Sequence, residues 1–480
     1  MPFGNRRGAL LQAFWCVALL SVCLTSVRAD VGLAALPSVP NHGRLSEGVR
    51  AGFGVSNGPG LTASPVPPTQ AGLLPYPYPP PAYTPTPSTH HLLPLVLKSH
   101  PSHPVPTTTP RPSPTRSPTD PPPTRMPTLT PLPSPTPTRA VDALEYGMHA
   151  FLWYHPEVAS RDLQVIRDAG FGWVKQVFGW RDIEPSRGLF DWSHSDWIVD
   201  TCEEAGLKLL VRVDHQPEWA GGNYPTNGPP DNYHDLGDFL YAVATRYRGR
   251  IAAYEVWNEP NLASEWGGRR PRPMEYARLL FIAYPRIKQA DPGALVISGG
   301  LAPTGTDSDL ARPDDVFLDR LYHHMGGSSN GYFDLLGAHA SGYKAPPETD
   351  PAEAAARADL GGHRCFCLRR VEDLRAIMVR HGEADKQIAV TEFGWTSDPR
   401  PGSPYHWHAV TEQQKADYLV RAYQYARSHW SPWIGPMSLI YIAKHEWTWN
   451  DEQYWWAITY PGWPEFYPRP AYDALKAMPK

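Results

Sequence analysis

From about residue 145 onward, short apolar runs alternate with amphipathic stretches, and the alternation continues to the end of the chain. The apolar runs at 145–150, 171–178, 208–214, 251–258, 294–300, 333–340, 387–393 and 437–443 predict strands. Between them, apolar positions at helical spacing predict helices near 157–169, 194–205, 236–248, 273–290, 313–325, 368–382 and 411–428, with 471–478 closing the chain. Eight strands alternating with eight helices is the count of a single (β/α)8 TIM barrel, and roughly 335 residues suit that fold with long loops. Doubly wound sheets alternate as well, but their first strand leads into a glycine-rich phosphate loop, which this sequence lacks.

The first third of the chain carries no such periodicity. Residues 30–140 hold Pro/Thr/Ser runs such as PTTTPRPSPTRSPTDPPPTRMP, and most of the 56 prolines crowd there. A segment of this kind buries too little apolar surface to offset its ordering entropy, so a disordered Pro/Thr/Ser-rich linker or stalk is expected over 30–140. The short island from His91 to Lys98 is apolar enough to pack locally, and no function attaches to it. Ahead of the stalk, Arg6 and Arg7 precede the apolar run Ala9 to Val27. This predicts a signal peptide over 1–29 with the mature chain starting near Asp30, an uncleaved membrane anchor being the alternative. The expected organisation is therefore 1–29 signal, 30–140 stalk and 141–480 catalytic barrel, in a secreted or extracellular, surface-tethered monomer.

A net charge of −4 argues against a dedicated nucleic-acid binder. The chain is rich in Trp and Tyr, whose flat rings suit stacking on sugars as well as core filling. Cys202, Cys365 and Cys367 are the cysteines beyond the signal, and Cys365-x-Cys367 lacks a second pair to complete a zinc site. One disulfide or free thiols is the expectation, with no metal. Nucleotide loops, histidine-rich clusters and a serine elbow are likewise missing, so no cofactor is implied.

The chemistry of such a barrel gathers where strands end. Glu259 ends the fourth strand in YEVWNEPN and Glu392 ends the seventh in IAVTEFGW, so both can face one ligand. Two carboxylates on one bound group are the working parts of glycoside hydrolysis. Asn258-Glu259-Pro260 and Thr391-Glu392-Phe393-Gly394-Trp395, with WRDIEPSRGLFDWSHSDWIV, QPEWA and RPAYDAL around them, resemble the retaining β-glycosidases of glycoside hydrolase clan A, over most of 145–480. The likeness is divided between cellulase-like members and the β-xylosidase and α-L-iduronidase family.

That resemblance implies Glu259 as general acid/base, Glu392 as nucleophile and Asn258 on the sugar 2-hydroxyl. It implies a sugar-site role for His339 and, with less agreement, for Tyr343, because Ser341 stands where the clan often has tyrosine. Many members hold the nucleophile with an arginine on strand two, where this chain offers Lys175 and Gln176. His215 is placed at the barrel mouth, Trp180, Trp395, Trp447 and Trp449 as candidate sugar platforms, and Glu255 deeper on strand four. The substrate expected is a β-linked polysaccharide or its oligosaccharides. A non-catalytic carbohydrate-binding or cell-surface protein on a degenerate barrel is the alternative.

Overall fold

The computed structural model describes residue 141 and residues 143–153, 155–221 and 227–480. The leader read at 1–29, the stalk read at 30–140 and the island at 91–98 lie outside them. Eight parallel strands close into a barrel in sequence order: β1 Glu145–His149, β2 Trp173–Gly179, β3 Lys208–Asp214, β4 Ala253–Val256, β5 Leu295–Ser298, β6 Leu335–His339, β7 Gln387–Phe393 and β8 Ile434–Leu439. β1 pairs with both β2 and β8, which completes the ring. The principal helices lie at Pro156–Asp168, Ser193–Glu204, Tyr233–Arg246, Pro273–Ala290, Asp314–His324, Arg370–Arg380, Glu412–Tyr425 and Pro470–Ala477. A two-stranded ribbon, β9 Thr459–Tyr460 with β10 Tyr467–Pro468, follows β8.

Most boundaries agree with the sequence pattern to within three residues, and the eighth strand begins three earlier than expected. Gly435 and Pro436 read as strand breakers, yet Pro436 is the third residue of β8, opposite Glu145. The helix expected from 411 starts where Thr411 and Gln414 form a reciprocal capping box, and it continues past Tyr425 as a π-helical turn to Trp430. Short helices at Trp180–Ile183, Pro351–Ala356 and Glu452–Trp456 lie in the connections, too brief to leave a periodic signal. Cys202, Cys365 and Cys367 are all buried, and none of them is joined in a disulfide among the described residues. Among the described residues no helix is long and apolar enough to cross a membrane.

Alternation along each strand turns every second side chain into the barrel. Trp173, Leu210, Ala253, Ile297, Leu335 and Ala389 form one apolar plug there, while Val174, Val211, Tyr254 and Val256 join the large core beneath the helices. Two residues beyond Trp173, Leu210 and Ala253 come Lys175, Arg212 and Glu255. The same period thus lays charges immediately above the plug. Lys175 and Glu255 are wholly buried, and burial on that scale is tolerated only when each charge meets an opposite one.

Candidate active site

Lys175 is the hub of the charged layer. Its Nζ stands 2.9 Å from Glu255 Oε2, and it donates to Glu392 Oε1 at 3.1 Å and to the Thr391 carbonyl at 3.2 Å. Arg212 on β3 donates from one nitrogen, Nη1, to Asn258 Oδ1 at 3.0 Å and to Glu392 Oε1 at 3.3 Å. Its Nε lies 2.9 Å from Asp214 Oδ2, whose carboxyl burial would raise but which Arg212, His215 and Arg181 together hold below its ordinary range. Arg212 is the cation that the sequence reading missed. The arginine sought on β2 stands instead on β3, in phase with Leu210 and Asp214, and that phase is its only sequence signal.

Glu259 follows β4 and is 2% exposed. Its φ of 38° and the 77° of Trp257 put two non-glycine residues in the left-handed region, a strained conformation that persists where surrounding structure enforces it. Gly300 supplies part of that enforcement: its carbonyl accepts from the Glu259 amide at 3.1 Å, and its amide donates to Glu255 Oε1 at 3.1 Å. Glu259 Oε1 is 2.7 Å from His339 Nδ1. Burial pushes the Glu259 carboxyl above the usual carboxylate range, a rise that His339 reduces and that the Glu392 charge reinforces.

Glu392, at the end of β7, has the opposite character. Burial alone would raise its carboxyl, but Lys175, His339 and Arg212 override that and hold it far below the carboxylate range. His339 Nε2 is 3.9 Å from Glu392 Oε1, so one imidazole stands between the two acids. Burial lowers the affinity of that ring for a proton, and the carboxylates of Glu392 and then Glu259 outweigh it, leaving His339 above the ordinary imidazole range. His149, at the end of β1, is buried nearby and is driven well below that range, by burial first and by Lys175 second.

A pocket opens over the two acids. It is lined by Pro303, Ser341, Tyr343, Tyr405, Tyr441 and Trp456 in addition to Glu259, His339 and Glu392. The Tyr343 hydroxyl donates to the Pro303 carbonyl at 3.0 Å. Glu452, also on the wall, accepts from Trp456 Nε1 at 2.7 Å. Tyr405, Tyr441 and Glu452 are wall residues that sequence reasoning did not single out.

Two of the proposed platforms are corrected. Trp180 and Trp395 are fully buried and donate to Glu184 Oε2 at 2.8 Å and to the Ala345 carbonyl at 3.0 Å, so neither ring has a face to offer a sugar. Trp447 is partly buried and packs edge-on against Phe151 and Tyr441, with centroids 5.1 Å and 5.7 Å away. Trp449 is 46% exposed on the loop beyond it. His215 Nδ1 pairs with Asp214 Oδ1 at 2.5 Å, at a residue whose φ is 61°.

A family model described as beta-galactosidase, of glycoside hydrolase family 42, matches residues 150–238. The beta-galactosidase BglY of Alicyclobacillus acidocaldarius is 30% identical over 84 residues, which cover 17% of this chain and 12% of that protein. A beta-xylosidase of Caldicellulosiruptor saccharolyticus is 26% identical over 276 residues, covering 51% of this chain and 50% of the relative. The chain thus spans at most half the length of either. In fold, a family 39 glycoside hydrolase from the gut symbiont Bacteroides cellulosilyticus is similar, with a TM-score of 0.52, 22% identity and coverage of 70% of this chain and 63% of that one. The chain is thus similar in part to glycoside hydrolases, and the structural likeness bears on the barrel fold alone.

Proposed function

We propose that the chain hydrolyses β-glycosidic bonds of a polysaccharide or its oligosaccharides with retention at the anomeric carbon, through a covalent glycosyl-enzyme. The observation that carries this reading is the opposite tuning of Glu259 and Glu392 on either side of His339. Glu259, proton-bearing, is the general acid that protonates the leaving oxygen. Glu392, kept ionised, attacks the anomeric carbon.

Once the glycosyl ester forms, the charge of Glu392 is lost, and with it the repulsion that raises Glu259. Glu259, its proton already given to the leaving group, then stays ionised more readily and takes a proton from the incoming water as base. Asn258 has its Oδ1 occupied by Arg212, an orientation that turns its Nδ2 donors to the sugar 2-hydroxyl, where hydrogen bonding strengthens in the transition state. Tyr441 and Trp456 give the sugar apolar walls, and Trp447 backs Tyr441.

The partial likeness to beta-xylosidases and beta-galactosidases makes β-xylosides and β-galactosides the first substrates to try. The test is nitrophenol release from aryl β-xylosides, galactosides, glucosides and mannosides, with the first-formed anomer read by proton NMR. Turnover with β-product appearing first is the expected result. An α-product would sink retention, and sugar binding without turnover on any aryl or polysaccharide substrate would favour a non-catalytic carbohydrate-binding protein.

A further inference from the structure

A second cluster of ligating side chains lies where the barrel closes, outside the acid pair. His155 precedes the helix Pro156–Asp168 that follows β1, while His445 and Glu446 lie in the loop after β8. β1 and β8 are hydrogen-bonded neighbours, which is what brings these distant stretches of sequence together. One nitrogen of each histidine and one Glu446 oxygen lie within 4.8 Å of one another. His155 Nε2 is 3.5 Å from Glu446 Oε1. Ligands on a tetrahedral ion with bonds of about 2.0–2.1 Å are separated by about 3.4 Å, so this pair already stands at ligand spacing.

Glu157 occupies the far side of both rings. Its Oε1 is 3.3 Å from His155 Nδ1 and 3.6 Å from His445 Nε2. A carboxylate hydrogen-bonded to one imidazole nitrogen, as at His155, fixes the tautomer and directs the other nitrogen's lone pair outward, the supporting arrangement found behind metal-bound histidines. At His445, Glu157 stands at ion-pair distance. The remaining nitrogens are then His155 Nε2 and His445 Nδ1. His445 Nδ1 is buried and has no hydrogen-bond partner among the described residues. A buried nitrogen of that kind carries a desolvation cost that a bound cation would offset.

We propose that His155, His445 and Glu446 bind one divalent transition cation of the zinc class, with Glu157 orienting both imidazoles and water completing the coordination. Two imidazoles and a single carboxylate suit zinc, cobalt or nickel and are a poor match for calcium or magnesium, which take oxygen ligands. The ion would fasten the loop after β1 to the loop after β8. Phe151 and Tyr441, whose centroids are 5.4 Å apart, come from those same two connections, and Tyr441 lines the pocket. The site is therefore structural, at the edge of the sugar site and separate from Glu259 and Glu392.

The full chain, purified without a polyhistidine tag and stripped by chelator, is titrated with Zn2+ and separately with Ca2+. One equivalent of Zn2+ per chain is expected, with a Tm rise of about 3 °C at 100 times Kd. Co2+ should give a visible absorption band. His445→Ala and Glu446→Gln lie at side chains 26% and 55% exposed, so both should fold, as far-UV circular dichroism will verify, and both should lose the band and the Tm response. Lack of stoichiometric Zn2+ binding would overturn the proposal, since the nearby Lys444 ammonium would then be the counter-charge. Binding retained in both variants, or an equal response to Ca2+, would overturn it as well.

Discussion

Glu259 and Glu392 are the same residue type, end strands of the same barrel and flank the same imidazole, yet burial decides the state of one and cations decide the state of the other. Around Glu259 the nearest charged partner is His339, and desolvation prevails, raising the carboxyl's affinity for a proton. Around Glu392, Lys175 and Arg212 converge on one oxygen and, together with His339, prevail over desolvation. The affinity for a proton here follows from what stands within about 4 Å of a carboxylate more than from its depth.

The difference also has a sign in stability. Glu392 has a lowered folded-state affinity for protons, so its contribution to stability is present above the pH at which an unfolded glutamate titrates and is lost as pH falls through its lower folded value. Glu259 has a raised affinity and so opposes folding increasingly as pH rises from the unfolded value through its own.

The comparison breaks most completely when either acid is removed. Glu392→Ala should lower kcat/KM on aryl β-glycosides by roughly 10⁴-fold or more, since no attacking group remains. Glu259→Ala should cost on the order of 10²–10⁴-fold, and least for substrates whose leaving group needs no proton; equal losses on good and poor leaving groups would contradict the assignment of the two roles. Lys175→Met should come next. It strands Glu255 in the barrel and should cost about 3–5 kcal/mol by denaturant unfolding, and in the protein that still folds the acidic limb of the pH–rate profile should move upward.

His339→Gln should act more gently and on the other side. Without the imidazole that draws down the Glu259 carboxyl, the basic limb of the profile should shift to higher pH, with about a tenfold loss in kcat; an unmoved limb would show that His339 does not govern that acid. Trp447→Ala should be smallest, raising KM a few-fold with stability changed by about 1 kcal/mol, whereas Trp395→Ala removes a fully buried ring and should cost about 3–5 kcal/mol.

Much of the fold was legible because each strand and helix carries its own period, and both acids were legible because a carboxylate at a strand end needs only local sequence to be noticed. Arg212 was not, because within KLLVRVD it reads as an interruption of an apolar strand, and only the closed barrel shows that its position faces Glu392. Trp180 and Trp395 were assigned to the wrong environment because ring type does not say which way a ring points. The His155, His445 and Glu446 cluster escaped a search for histidine-rich stretches because the closure of β1 on β8, and not proximity in the chain, assembles it.

Gly300 has a mechanical consequence of its own. A methyl group there would lie 2.3 Å from His339 Cδ2 and 2.6 Å from Thr391 Oγ1, while the backbone of the same residue holds Glu255 through its amide and Glu259 through its carbonyl. Three titrating side chains are thereby indexed to a single residue with no side chain. Redesign of this pocket would have to move them as one assembly, because even the smallest graft at position 300 would displace the ring that keeps the two halves of the chemistry in register.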